Sequence, residues 1–413
     1  MLVLAFIGTL ICYMDRSALS YAVLPIEHDF SLNNSQFGMI LSAFGVGYLI
    51  MVAFAGTVVD KCGARKSWAI AAFLWSIATT LLGLCSTFAI IIVLRFLLGL
   101  LESPSLPSLT KVTTNWLSLN ERNRALGLGL AAVPFSSVIG APLSTHLIAN
   151  YGWRVMFFVL GGLGIAWAIL WFMLFRETPN QSKLTTPTEL GYLEQENTTT
   201  PHIMHHNQTT SWKFILFNKT FLLNNYAFFA FGYLLFFGVT WLPGYFEQTF
   251  HMNIKTVGWF LVVPWLMSAS AIFITGYIGD MLWIKTKSLR ISRSMIMGIM
   301  MILSAVCFIP AILTNNINIA MIFMSFALCF GLAPNSCFYA TNADLASDKV
   351  ATSLGVMLTF FSCAGILAPL ITGFLSSLTG NFKSAIAVML FLNVSSGILV
   401  LLFQNPDKEL LKK

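Results

Sequence analysis

The amino-acid sequence predicts an all-α membrane protein with twelve transmembrane helices in two pseudo-symmetric six-helix bundles. Three observations carry this prediction. Hydrophobic residues make up 57% of the 413 and charged residues 9%, with a mean hydropathy of +0.79; a soluble chain of this size needs far more charge to cover its surface. Apolar runs of about 20 residues, each long enough to cross a hydrocarbon core, recur along the whole length. The longest polar stretch, 176–213, falls midway and leaves six such runs on each side.

In chain order the expected spans are 2–24, 37–59, 68–87, 89–111, 125–148, 154–175, 222–246, 256–279, 294–313, 317–340, 351–376 and 382–403. The first run lacks a basic leader and continues past an internal charge pair, so it reads as a span and not as a cleaved signal peptide. Spans 2 and 3 are joined by GTVVDKCGARK (56–66), and the loop after span 8 reads GYIGDMLWIKTK (276–287). Each ends a helix with glycines and an acid, then turns basic, a weak echo between the halves. Span 5 carries SSVIGAP (136–142) and span 11 carries SCAGILAP (362–369). Small residues followed by proline let helices approach closely and bend, which suits a rocking interface or ordinary tight packing. The expected organisation is a first bundle over 1–175, a cytoplasmic linker over 176–213, and a second bundle over 214–413 with a short cytoplasmic tail. A site near mid-membrane between the repeats follows from that division.

Charge distribution sets topology. Lysine and arginine gather in the loops 60–66, 111–124, 176–219 and 285–293 and in the C-terminal tail, whereas the outer loops hold only Arg154, Lys255 and Lys383. By the positive-inside rule both termini are cytoplasmic. The net charge of +7 is therefore topological and not the footprint of a nucleic-acid partner. The seven cysteines lie scattered, without ligand-type spacing, and read as small packing residues. His202, His205 and His206 in the linker have no acidic or thiol partners at metal-binding spacing and read as solvated; the sequons at Asn197 and Asn207 would face the cytoplasm.

Four charges within spans form the site hypothesis: Asp15 and Arg16 in span 1, Arg95 and Glu102 in span 4. Each costs about 2.5–3.5 kcal/mol at a helix centre, so partners or a water-filled cavity are required. Adjacent helix residues point about 100° apart, so Asp15 and Arg16 must each look elsewhere. Arg95 and Glu102, seven apart, share a face at about 10 Å along the axis. The economical arrangement sets spans 1 and 4 side by side, with Asp15 or Arg16 meeting the opposite charges of span 4. Two acids and two arginines sum to zero; protonating one acid makes the cluster +1, and protonating both makes it +2. Asp15 and Glu102 are accordingly read as proton carriers. Arg16 is read as the main clamp of an anion, since its planar fork suits a carboxylate. Arg95 is read as the partner of ionised Glu102 and a second substrate contact. The competing reading is a buried ionic network that only orients two helices.

Local motifs carry a resemblance. GTVVDKCGARK fits the loop signature of the major facilitator superfamily at Gly56, Asp60, Lys61, Gly63, Arg65 and Lys66. YMDRSALSYAVLPI, RFLLGLLESPSLPS, WLSLNERNRALG and WLPGYF together resemble the anion:cation symporter family over nearly the full length. The resemblance implies the major facilitator fold and the movement of sugar acids, hexuronates or other carboxylates with protons or sodium. It also implies roles at the same four charges and a cavity position for Tyr48. Further pocket candidates are Tyr13, Ser136 and Ser137 from the first half, and Trp241, Tyr245, Asn335, Ser336, Tyr339 and Ser362 from the second. Asp60, Arg65, Lys66, Glu121, Arg124 and Asp280 are expected in cytoplasmic latches that pair differently in different states. In span 11, Leu358 and Ser362 stand where many family members have asparagines, which points to a less hydroxylated carboxylate.

The reading is a proton-coupled organic-anion symporter of a bacterial inner membrane, monomeric, with a small organic anion and the lipid bilayer as partners. The alternative is a proton-driven exporter, although span 5 lacks the G-x-x-x-G-P-x-x-G-G pattern of drug antiporters. No cofactor or metal is expected beyond the coupling proton, with sodium left open. No nucleophile–base pair points to an enzyme.

Overall fold

The computed structural model describes residues 1–117, 119–181, 212–346 and 349–410, and among them the regular structure is entirely helical. The elements are α1 (Leu2–Tyr21), α2 (Val23–Phe30), α3 (Asn34–Leu82), α4 (Phe88–Glu102), α5 (Ser105–Trp116), α6 (Leu119–Tyr151), α7 (Trp153–Leu174), α8 (Trp212–Phe217), α9 (Lys219–Thr240) and α10 (Leu242–Phe250). They continue as α11 (Ile254–Thr286), α12 (Ile296–Leu313), α13 (Ile317–Leu332), α14 (Asn335–Leu345), α15 (Val350–Thr379), α16 (Lys383–Phe403) and α17 (Pro406–Leu410). A π-helical turn, Arg290–Met295, opens α12. Starts are set by capping side chains: Asn218, Asn253 and Asn316 accept backbone N–H groups of α9, α11 and α13 at 2.9 Å.

Eleven helices among the described residues are long and apolar enough to cross a membrane. The expected span 68–87 is the second arm of α3, which bends at Gly63, where φ of 81° puts the backbone in a region that side chains disfavour. Three expected spans are broken where the sequence places a proline. Span 4 divides between α4 and α5 at Ser103–Pro104, span 7 between α9 and α10 at Trp241, and span 10 between α13 and α14 at Ala333–Pro334. Such discontinuous helices free backbone groups at membrane depth.

The pattern of burial is inverted relative to a soluble protein. Large apolar side chains such as Phe54, Trp259 and Phe391 stand more than 60% exposed, while Asp15, Arg95 and Glu102 are at most 2% exposed. Lipid as the surrounding solvent accounts for this reversal.

Contacts divide the chain into two compact units: Met1–Phe30 with Ala43–Met204, and Ser31–Ser42 with His205–Lys413. In the first, α1 packs lengthwise on α6 and α7. In the second, α12 packs on α13 and α16, and α9 on α15. The start of α3 thus joins the second unit. There Asn34 and Gln248 exchange two amide hydrogen bonds at 3.1 Å. The Ser42 hydroxyl donates to the Ile366 carbonyl at 2.9 Å, and Phe37 packs edge-on against Trp241.

Candidate functional site

The four intramembrane charges fall in the first unit and gather around α1, α3 and α4. Helical geometry separates Asp15 from Arg16 as expected. Arg16 reaches across to α4 and donates to Glu102 Oε2 through Nε at 3.1 Å and Nη2 at 3.0 Å. The Cys12 thiol lies 3.5 Å from the same oxygen, on the same face of α1 one turn earlier. Three donors therefore converge on Oε2, while Oε1 is buried without a partner. Ser105, at the start of α5, meets Cys12 at 3.5 Å and extends the node past the break after Glu102.

Aromatic rings complete the surroundings of Arg16. Its guanidinium carbon lies 4.4 Å from the ring centroid of Tyr13, 4.8 Å from Phe44 and 5.0 Å from Tyr48. Phe44 and Tyr48 stack on one another one turn apart on α3. A guanidinium over aromatic faces gains electrostatic attraction that a low-dielectric site strengthens.

The close approach of α3 and α4 rests on two glycines. A Cβ at Gly99 would strike the backbone of Phe44 and Tyr48, and one at Gly47 would strike the backbone of Phe96 and Leu100. Backbone thus lies against backbone, which brings Arg95 and Glu102 under Phe44 and Tyr48.

Asp15 and Arg95 remain outside the Arg16–Glu102 pair. Both Asp15 oxygens are buried without a hydrogen-bond partner, and the indole of Trp75, fully buried on the second arm of α3, lies beside them without closing a bond. Arg95 Nε is likewise unpartnered, and its guanidinium carbon sits 5.0 Å from the Phe44 centroid. Arg16 meets the acid of span 4, one of the two expected arrangements, and Glu102 is held by it and not by Arg95. The cause is reach, since Arg95 lies two turns away along α4 whereas Arg16 meets Glu102 across the helix pair.

Other expected pocket residues fall into distinct settings. The Ser136 hydroxyl donates to Val133 O within α6 at 2.6 Å, and Ser137 meets the buried Tyr21 hydroxyl, so both are taken up by α1–α6 packing. In the second unit, the Trp241 indole donates to Pro369 O at 3.1 Å and the Tyr245 hydroxyl to Ala311 O at 3.4 Å. Both polar ends donate to backbone carbonyls within the bundle. Ser336 faces Gly276 of α11 with its hydroxyl unpartnered, and Ser362 is buried on α15. Asn335 opens α14 half-buried after Pro334, and Tyr339 packs edge-on against Phe228.

The expected latch residues also separate. Lys111 binds Asp60 through its carboxylate at 3.3 Å and its carbonyl at 3.0 Å. Arg65 donates to Phe172 O at 2.7 and 2.9 Å. Lys66 is exposed. Arg293 sits between Asp280 at 3.4 Å and Asp344 at 3.7 Å. The side chains of Glu121 and Arg124 lie outside the described residues, as do the linker histidines and sequons. Two acids that sequence reasoning missed cap helices. Glu177 accepts from the Ala64 and Arg65 amides at 3.1 and 2.8 Å. Asp407 accepts from the Leu289 and Arg290 amides at 2.7 and 3.1 Å and from the Ser288 hydroxyl at 2.6 Å. Their signal was positional, because each follows the sixth span of its half.

The profile of the Major Facilitator Superfamily matches residues 5–289 and 248–413. The chain belongs to this superfamily. It is a multi-pass membrane transporter and not an enzyme. The hexuronate transporter of Bacillus subtilis (strain 168) is 28% identical over 404 residues, covering 97% of this chain and 93% of the relative. A protein of the same organism named "Probable galactarate/D-glucarate transporter" is 31% identical, covering 99% and 92%. In fold, the chain resembles a bacterial homologue of the human lysosomal transporter Spinster in its inward-facing, occupied conformation, with TM-score 0.79 at 15% identity over 100% and 97% of the two chains.

Proposed function

We propose that the protein is a proton-coupled symporter of a small organic acid, working by alternating access as a monomer in a bacterial inner membrane with both termini cytoplasmic. The observation that carries this reading is the Arg16–Glu102 pair: the fork suited to a carboxylate is occupied by the chain's own carboxylate. A substrate carboxylate can take that place only when Glu102 lets go, and protonation of Glu102 removes the charge that holds it. The bare Oε1 offers the place for that proton while Oε2 is still held. Asp15, buried with neither oxygen bonded, is the second carrier, since an ionised carboxylate without donors is costly in such surroundings. Binding of the anion and of the proton thereby support one another, which is symport. The sugar-acid transporters among the relatives support an organic acid as the substrate.

Proteoliposomes test the reading. Asp15→Asn and Glu102→Gln should each abolish accumulation driven by a pH gradient, while at least one retains counterflow exchange of labelled substrate. Undiminished uphill uptake in both variants would overturn it, and uphill efflux driven by inward proton flow would favour the exporter.

A further inference from the structure

Resting on the reading just given, we infer that Cys12 is a positioning residue for Glu102: its thiol keeps hold of the carboxyl when Arg16 turns to the substrate, and Ser105 steadies the thiol. Arg16 supplies both charged donors on Oε2, at 3.1 and 3.0 Å, and the substrate carboxylate claims the same fork. Once the fork has turned, one donor remains on Oε2 among the described residues, the Cys12 thiol at 3.5 Å. Oε1 has none. Without the thiol, Glu102 would lose every bond at the moment of exchange.

The thiol suits this task in three respects. It lies one turn before Arg16 on α1, on the same face, so it needs no movement of its own when the guanidinium swings. It is uncharged and therefore does not compete with Arg16 for the anion. With the proton on Oε1, Oε2 remains an acceptor, so one S–H serves both the carboxylate and the neutral acid. The direction of the thiol is also fixed. Cys12 is fully buried and Ser105 nearly so. The single thiol hydrogen goes to Oε2, so the Ser105 hydroxyl donates to the sulfur at 3.5 Å. That hydroxyl has no other hydrogen-bond partner among the described residues. Ser105 opens α5, beyond the break at Ser103–Pro104, so the series Ser105–Cys12–Glu102 ties α1 to both parts of span 4. The other titratable or charged groups around this series are Tyr13, Asp15 and Arg16 of α1, Tyr48 of α3 and Arg95 of α4.

Infrared S–H stretching of the purified full-length protein tests this, because the band moves with hydrogen bonding. The Cys12 component is the part that disappears in Cys12→Ser. It should move to higher frequency as Glu102 gains its proton, since a bond to a neutral acid is weaker than one to a carboxylate. The movement should vanish in Glu102→Gln and persist in Arg16→Ala, where the fork is gone. A band blind to pH in the wild type, or a response lost in Arg16→Ala, would overturn the inference. Uptake driven by a pH gradient gives a second readout. Cys12→Ala should lower the initial rate at least threefold and displace its pH midpoint, whereas Cys12→Ser, which keeps a donor, should stay within twofold of wild type. Adding Ser105→Ala to Cys12→Ala should change the rate less than twofold, because the serine acts through the thiol. Equal loss in Cys12→Ser and Cys12→Ala, or none in either, would also overturn it. Uphill uptake that survives both Asp15→Asn and Glu102→Gln would instead remove the proposed function; uptake that needs Glu102 while the thiol band ignores pH removes only this inference.

Discussion

At the scale of single residues, the site turns on which carboxyl oxygens are held and which are bare. Trp75 is the neutral group whose indole approaches Asp15. Glu102 and Arg95 are the charged groups around the same carboxyl. Replacing Trp75 by Phe keeps the bulk and removes the donor beside Asp15. The expected outcome is a displaced pH midpoint of uptake with counterflow retained, read by initial rates across a pH series; an unmoved midpoint would assign Trp75 to packing alone. The four charges were legible in the sequence because a charge in an apolar run is conspicuous. That span 1 would meet span 4 was legible too, but which of Asp15 and Arg16 would do so was not, since residue spacing fixes the rotation of a side chain on its own helix and says nothing of how far α1 is rotated against α4. Phe44 was invisible for the opposite reason: one phenylalanine among 36 carries no signal until its ring is found beside two guanidinium groups.

At the scale of elements, the expected spans map closely onto the observed helices, because apolar run length is a strong signal in a chain solvated by lipid. What the runs conceal is their interruption. Pro104, Pro243 and Pro334 are plain in the sequence, yet hydropathy passes over them, and only the fold reveals α4–α5, α9–α10 and α13–α14 as broken spans. The short helix α2, outside the spans, holds two acids with opposite tendencies. The Asp29 carboxylate is held below the usual range by the Trp153 indole and the Arg154 guanidinium, which bond it at 3.0 and 2.8 Å. Burial pushes Glu27 up to about 7. The folded chain thus keeps a proton on Glu27 that an unfolded chain releases near pH 4.3, and stability falls as pH rises through that window. Glu27→Gln should remove this decline, so its thermal midpoint relative to wild type should rise steadily from pH 4.5 to 8. A difference that stays flat with pH would show that the Glu27 proton is not linked to folding.

At the scale of the whole molecule, the two units repeat a device that their sequences barely advertise. In each, an acid just past the sixth span folds back to cap the start of the third, Glu177 on Ala64 and Arg65, Asp407 on Leu289 and Arg290. Loss of such a cap costs about 1–2 kcal/mol. Glu177→Ala and Asp407→Ala should each lower the thermal midpoint of the purified protein, with transport affinity unchanged; a weaker substrate affinity at unchanged stability would point to a role at the site instead. Neither residue stood out by chemistry, since solvated acids in polar loops are ordinary.

The glycine crossing of α3 and α4 bears on how such a transporter could change its diet. Wherever backbone rests on backbone there is no room for a new side chain, so Gly47 and Gly99 offer selection nothing to vary. The distance between the arms that carry Phe44, Tyr48, Arg95 and Glu102 is thereby frozen. Divergence in substrate range must come from swapping the rings and charges mounted on that fixed frame. A lineage could pass from one acid to another by single substitutions there while the architecture around them stayed still.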